Sequence, residues 1–146
     1  MNIDKRIIEF IKEHHVLTLA TAVEGDPHAC NCFYAFSQEN MTLICTSDKS
    51  TKHIQQVEKN NFVAGSIVLE TMNIGKVQGI QFYARMYEAK DEKLKKFKKI
   101  YLKRFPFAVL TNATLWAIEL TYIKMTDNRL GFGKKLIWSK ETKQAE

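Results

Sequence analysis

Only three cysteines, two prolines and six glycines occur among the 146 residues. Cys30, Cys32 and Cys45 form an odd and sparse set, unlike the even frameworks of secreted disulfide scaffolds, and are expected as reduced thiols. No apolar run approaches the ~20 residues needed to cross a bilayer. The opening MNIDKRIIEFIKEHH threads charges among its apolar residues and lacks the uninterrupted stretch of a signal peptide. A cytoplasmic protein with no membrane partner is expected. No G-x-x-x-x-G-K-[ST] and no G-x-G-x-x-G after a strand occurs, which argues against a nucleotide-hydrolysing P-loop and a doubly wound dinucleotide fold. Acidic residues are the scarcer sign, 16 against 22 basic, for a formal charge of +6.

What remains is one ordinary domain's worth of chain, 45% apolar and 11% aromatic. A chain of this size buries about two thirds of its unfolded surface and sustains a core without crosslinks. A single domain over residues 1–146 is expected, with a polar tail from about residue 140. Much of the excess charge is local: residues 88–104 carry seven lysines and one arginine against three acidic residues, a net of +5. Such a field favours anionic partners without specifying one.

Ile3, Ile7, Ile8 and Ile11 recur at helical spacing, so residues 2–13 read as a short amphipathic helix. Strand signals then dominate. Val16 to Thr21, His28 to Phe36 and Met41 to Thr46 are joined by connections too short for parallel crossovers, and read as an antiparallel meander. Thr51 to Lys59 reads as a short helix with Ile54 and Val57 inward. Phe62 to Leu69 and Val77 to Ala89 read as a hairpin. Asp91 to Arg104 is a firm helix with Leu94, Phe97, Ile100, Tyr101 and Phe105 inside, stopped by Pro106. Leu115 to Met125 and Leu136 to Trp138 complete the strands. Six or seven antiparallel strands with few helices suggest a closed or nearly closed barrel, since closure removes exposed edges. Pattern alone also admits a sandwich.

The segment Thr46-Ser47-Asp48-Lys49-Ser50-Thr51-Lys52 lies where a strand leads into a helix. A helix start has unpaired N–H groups and a positive dipole end, so it suits a phosphate. Thr46, Ser47, Ser50 and Thr51 offer hydroxyls, and Lys49 or Lys52 offers charge. The plainer alternative is that Asp48 or Ser50 caps the helix and the lysines are solvated.

The same segment, with Ala29-Cys30-Asn31-Cys32-Phe33-Tyr34 and the order of elements, resembles the FMN-binding split barrel of the pyridoxamine phosphate oxidase-like superfamily. Val77 to Phe82, Arg104-Phe105-Pro106 and Thr126 to Trp138 resemble more narrowly an uncharacterised bacterial family within it. The resemblance implies a mainly β, antiparallel split barrel with flanking helices. It also implies a homodimer holding two flavin mononucleotides at its interface. Ser50 and Lys52, matching the superfamily's Ser-x-Lys element, would bind the phosphate with Thr51. Thr46 and Ser47 would lie beside the phosphate and ribityl chain, and the backbone of Asn31, Cys32, Phe33 and Tyr34 would line the ring. Gln78 or Gln81, and Lys134 or Lys135, would approach from the second subunit. Relatives of this barrel also accommodate deazaflavin and haem.

A small FMN-dependent oxidoreductase of unknown substrate is one expectation, and a carrier without turnover is another. The superfamily's Arg-Leu-His-x-Arg segment is replaced by Gly133-Lys134-Lys135-Leu136-Ile137-Trp138, so pyridoxamine phosphate oxidation is not expected. His28, Cys30 and Cys32 share one strand face, with Cys45 on the expected neighbouring strand. Yet C-x-C without a second pair is a weak zinc pattern and Cys suits a buried wall, so no metal is expected. His53 beside the helix start reads as partly exposed. A competing reading, a nucleic-acid-binding barrel using the basic helix 91–104, is less favoured, because solvation explains lysines on an amphipathic helix.

Overall fold

The computed structural model describes residues 2–110 and 112–140. Asp4 caps the first helix, its carboxylate accepting the Arg6 N–H at 2.9 Å, so α1 starts at Lys5 rather than Asn2 and spans Lys5–Glu13. There follow β1 (Val16–Val23), β2 (Asp26–Phe33), β3 (Ala35–Ser37), β4 (Thr42–Ser47), α2 (Lys52–Lys59), β5 (Phe62–Val68) and β6 (Gln78–Glu88). The helix α3 (Asp91–Arg104), β7 (Thr114–Asp127) and β8 (Lys135–Ser139) complete the order. The fold is mainly β, an antiparallel split barrel with three flanking helices. The expected tail from residue 141 lies outside the described residues.

The strands hydrogen-bond in the order β2-β1-β5-β6-β7-β4-β3, and β8 also pairs with β7. The long β7 makes this possible. It runs beside β6 on one edge, while its other edge takes β4 along residues 114–119 and β8 along residues 122–126. Between them, Tyr83 pairs with Tyr122 but Ala84 with Leu120, leaving Thr121 as a bulge that bends the strand where its partner changes.

The expected meander breaks at Tyr34. β2 pairs only with β1, and β3 pairs with β4, which goes to β7 instead of β2. The cause is local: the Tyr34 N–H bonds the His15 carbonyl at 3.0 Å, and its fully buried hydroxyl donates to the Ile11 carbonyl at 2.7 Å. Among the described residues no ladder joins β2 to β3 or β4. The barrel closes there by side chains, with Cys32, Tyr34, Met41 and Cys45 in one buried cluster.

Two cores follow from the two faces of β4. Leu43 and Cys45 face the barrel interior, which α1 and α2 fill with Ile7, Phe10, Ile11, Ile54 and Val57. Ile44 faces the other way, against Phe97 and Tyr101 of α3. Each such ring fully buried contributes roughly 1.5–3 kcal/mol. Leu94, expected inside α3's face, is 38% exposed. At the far end of α3, the Arg104 guanidinium donates to the Lys12 and His14 carbonyls. It satisfies the orphan acceptors at the end of α1, where a cation is also favoured by the dipole.

The distinctive 126–138 segment has a structural role too. Asp127 is fully buried and takes three hydrogen bonds from Arg129, which hold its pKa below the ordinary carboxylate value. Asn128 ties this turn to the 3-10 turn before β6 through the Ile74 carbonyl at 2.9 Å. Gly65, paired with Phe82, leaves no room for a side chain: a Cβ there would clash with the Phe82 ring and the Thr18 carbonyl.

Candidate functional site

β4 carries Thr46 and Ser47 to one end of the sheet, and a turn over residues 48–51 leads into α2. Asp48 organises the turn. Its carboxylate accepts the Ser50 N–H at 2.8 Å, and its carbonyl accepts the Thr51 hydroxyl at 2.8 Å and N–H at 3.1 Å. The hydrogen bonds from Ser50 hold the Asp48 pKa below the ordinary value. Thr51 occupies the N-cap position, but with its hydroxyl turned to Asp48 it makes no cap bond to α2. The helix therefore begins without a capping oxygen, beside the hydroxyls of Ser50 and Thr51. The first-turn N–H groups of α2 are therefore left without a side-chain acceptor.

The two lysines of the turn are held at the surface. Lys49 lies 2.8 Å from Glu88 and Lys52 lies 3.3 Å from Asp26, with both lysine side chains more than half exposed. Pairs of this kind are worth about 0–1 kcal/mol, so a stronger anion displaces either carboxylate at little cost.

His53 points inward. Its Nε2 lies 2.8 Å from the Ser47 Oγ, and its ring stacks on His28 at 6.4 Å between centroids, with 5° between planes. Burial first, and then the His28 charge, push the His53 pKa down. The ring meets Cys30 and Cys32 of β2, and one ligand atom from each of the three lies within 4.8 Å of the others. The Cys30 thiol pKa is raised by its hydrogen bond with Cys32 and by burial. For Cys32 the Cys30 bond lowers the pKa, but its Cys45 bond and burial prevail and push it up to about 12. These are protonated thiols, unlike an activated nucleophile.

Behind Thr46 a cleft of about 300 Å³ opens between α3 and the start of β7, lined by Thr46, Glu88, Leu94, Lys98, Tyr101 and Leu115 among others. The Tyr101 hydroxyl reaches Thr46 Oγ1 at 3.5 Å, and burial raises its pKa. No sequence pattern marked this cleft, because its walls come from five separate segments.

The structure thus brings Thr46, Ser47, Ser50, Thr51 and Lys52 together at one junction. Along β2 the expected ring-lining residues alternate. Asn31 and Phe33 are exposed, Phe33 at 58%, with Asn31 Oδ1 accepting from the Thr18 hydroxyl at 2.9 Å. Cys32 is buried on the inner face and Tyr34 in the core beyond the strand. Gln78 and Gln81 lie on β6, pointing to opposite faces by strand alternation. Lys135 pairs with Thr126 in the β7–β8 ladder, whereas Ser47 pairs with Thr114. Those positions are separated by roughly 40 Å of strand at ~3.3 Å per residue. Within one chain Lys134 and Lys135 are therefore remote from the β4–α2 turn.

On α3, Lys93 bonds the Tyr87 hydroxyl at 3.2 Å, Lys95 pairs with Glu92 at 3.4 Å and Lys96 with Glu39 at 2.9 Å. The basic patch is thus partly matched by its own surroundings. Among the described residues, no helix is long and apolar enough to cross a membrane.

The architecture is shared with solved structures. A heme-binding protein from Mycobacterium smegmatis superposes with a TM-score of 0.75 over 89% of this chain at 14% identity, although this chain spans only 55% of that one. A FAD-binding protein from Mesorhizobium loti gives 0.70 over 85% of this chain and 94% of its own, at 15% identity. A protein of the NimC/NimA family from Clostridium acetobutylicum gives 0.67 over 93% and 91%, at 22% identity. These likenesses define the fold class: an antiparallel split barrel. No family model matches the chain. Individual proteins do. A UPF0306 protein of Yersinia enterocolitica is 37% identical over 134 residues, covering 92% of this chain and 91% of its own. Another, of Photorhabdus laumondii, is 36% identical over 134 residues, covering 92% and 94%. The chain belongs to the UPF0306 family.

Proposed function

We propose that this protein binds FMN between two copies of itself, with the phosphate at the β4–α2 turn. The observation that carries the reading is the start of α2, which lacks a capping side chain and stands beside the Ser50 and Thr51 hydroxyls and Lys52. This donor set fits a phosphate dianion. Backbone N–H groups of the first turn and the Ser50 hydroxyl donate to it, and Lys52 exchanges the exposed Asp26 carboxylate for it. Thr46 and Ser47 lie next along the chain, on the side of the ribityl group. A bound flavin supplies two-electron redox chemistry, while the protein sets its access and orientation.

The outward face of β2, with Asn31, the exposed Phe33 and the backbone through Tyr34, supplies one wall for the ring. Lys134 or Lys135, remote from the turn within one chain, reaches the flavin from the second copy, as does Gln78 or Gln81. The ring cluster of Phe62, Tyr83 and Tyr122 on the outside of β5–β7, with Phe62 stacked on Tyr83 and Tyr122 tilted against Tyr83, supports an interface there. Phe62 and Tyr83 are 43% and 49% exposed, and their centroids are 5.6 Å apart. Such aromatic surface is enriched where proteins associate. The FAD-binding and heme-binding split barrels offer two planar ligand classes, and the phosphate-shaped donor set favours the phosphorylated flavin. The protein acts in the cytoplasm, where its thiols stay reduced.

Protein purified with FMN supplied is expected to be yellow, to quench FMN fluorescence at micromolar concentration and to sediment as a dimer. Absence of flavin absorbance together with absence of quenching contradicts the reading.

A further inference from the structure

We propose that Cys30, Cys32 and His53 form a binding site for a thiophilic divalent cation, zinc by its chemistry, at the seam where β2 faces β4 and α2. The inference is separate from the flavin reading and rests on side chains pointing the other way from the exposed face of β2.

The three ligand atoms already lie within 4.8 Å of one another. Around tetrahedral zinc, with Zn–S of ~2.3 Å and Zn–N of ~2.0 Å, neighbouring ligand atoms stand about 3.5–3.8 Å apart. Closing the site therefore needs each atom to move by about 1 Å or less, which small side-chain rotations supply. The frame is rigid. Cys30 and Cys32 are locked in the β1–β2 ladder opposite Leu19 and Leu17. His53 sits in the first turn of α2, with its ring plane fixed by Ser47 at 2.8 Å and by the parallel His28.

A further thiol lies beside Cys32. Cys45, fully buried on β4, is hydrogen-bonded to Cys32. Two or three thiols with one imidazole, and no carboxylate in the group, select zinc over magnesium or calcium, which require oxygen donors. The position gives the ion a purpose. Among the described residues no backbone ladder joins β2 to β4, and a metal bound by Cys30, Cys32 and His53 ties β2 to α2 at that split. The expectation of no metal from C-x-C spacing fails to include His53, which reaches the cysteines only through the tertiary fold.

The test uses the full, tag-free, reduced chain, loaded with zinc(II) alone or cobalt(II) alone and then desalted. The expected results are about one zinc per chain, a sulfur-to-cobalt charge-transfer band, and a Tm raised by about 5 °C or more with zinc. Cys30→Ser and His53→Gln, both at partly exposed positions, are each expected to reduce retained metal at least about tenfold while keeping the far-ultraviolet circular dichroism. Retention below about a tenth of an atom per chain, or undiminished retention by both variants, overturns the proposal. FMN quenching measured on wild type and Cys30→Ser separates the two readings: loss of metal with unchanged FMN binding supports this site independently of the flavin, and undiminished metal with unchanged FMN binding overturns this site alone.

Discussion

The corner where α1 meets α3 and the turn between β4 and α2 are both made by polar side chains, used in opposite ways. At the corner the key polar groups are turned onto the backbone of α1 and matched. The Tyr34 hydroxyl meets the Ile11 carbonyl, and Arg104 closes the carbonyls at the end of α1 while lying over the Tyr34 ring at 5.4 Å. At the turn the lysines face outward, held only by ion pairs with Glu88 and Asp26, and α2 begins without a cap. Polar groups matched inside a fold hold it together. Donors left facing solvent at a helix start cost stability and so suggest a ligand.

The contrast is broken most severely at the corner. Tyr34→Ala removes a fully buried ring and its hydrogen bond, and is expected to destabilise by about 3–5 kcal/mol in urea unfolding. A loss below about 1 kcal/mol means that the split is not pinned there. Next in size, Gly65→Ala forces a methyl group against Phe82 and the Thr18 carbonyl, with an expected cost of about 1–3 kcal/mol.

The pH dependence sharpens the same contrast more gently. The His14 pKa is lowered by burial first, with His15 and Arg104 also opposing its charge while Glu13 favours it. The unfolded chain therefore takes up this proton before the folded one does. Stability is full above about pH 6.5 and declines as the pH falls below it, until the folded form titrates as well. Thermal melts across that range are expected to show the decline, and His14→Gln is expected to flatten it. At the turn, by contrast, Lys52→Ala is expected to change stability by no more than about 0.5 kcal/mol, since only an exposed ion pair is lost.

Helix and hairpin bounds and the turn's own motif were legible in the chain; the corner at Tyr34 and the turn's tertiary surroundings were not. The bounds of α3 follow from its amphipathic spacing and Pro106, and the β5–β6 hairpin from its alternation. The break at Tyr34 was not legible, because no glycine or proline marks it and the chain stays extended. Its cause is a pair of hydrogen bonds to the remote α1 end. Likewise β7 reads as one strand, and nothing in its residues announces that it changes partners at Thr121. The cluster of Thr46, Ser47, Ser50, Thr51 and Lys52 was visible as a contiguous motif. The meeting of His53 with Cys30 and Cys32 joins β2 to α2, and only the folded chain supplies it.

The central claim is that the phosphate, held at the β4–α2 turn, anchors the flavin. Titrating wild type and Lys52→Ala with FMN and with riboflavin tests it most directly, since the two flavins differ only in that group. Wild type is expected to prefer FMN by about tenfold or more, as charge-assisted hydrogen bonds of about 1.5–3 kcal/mol require, and Lys52→Ala is expected to lose most of that preference. Equal affinity of wild type for the two flavins, or equal weakening of both by Lys52→Ala, contradicts the account.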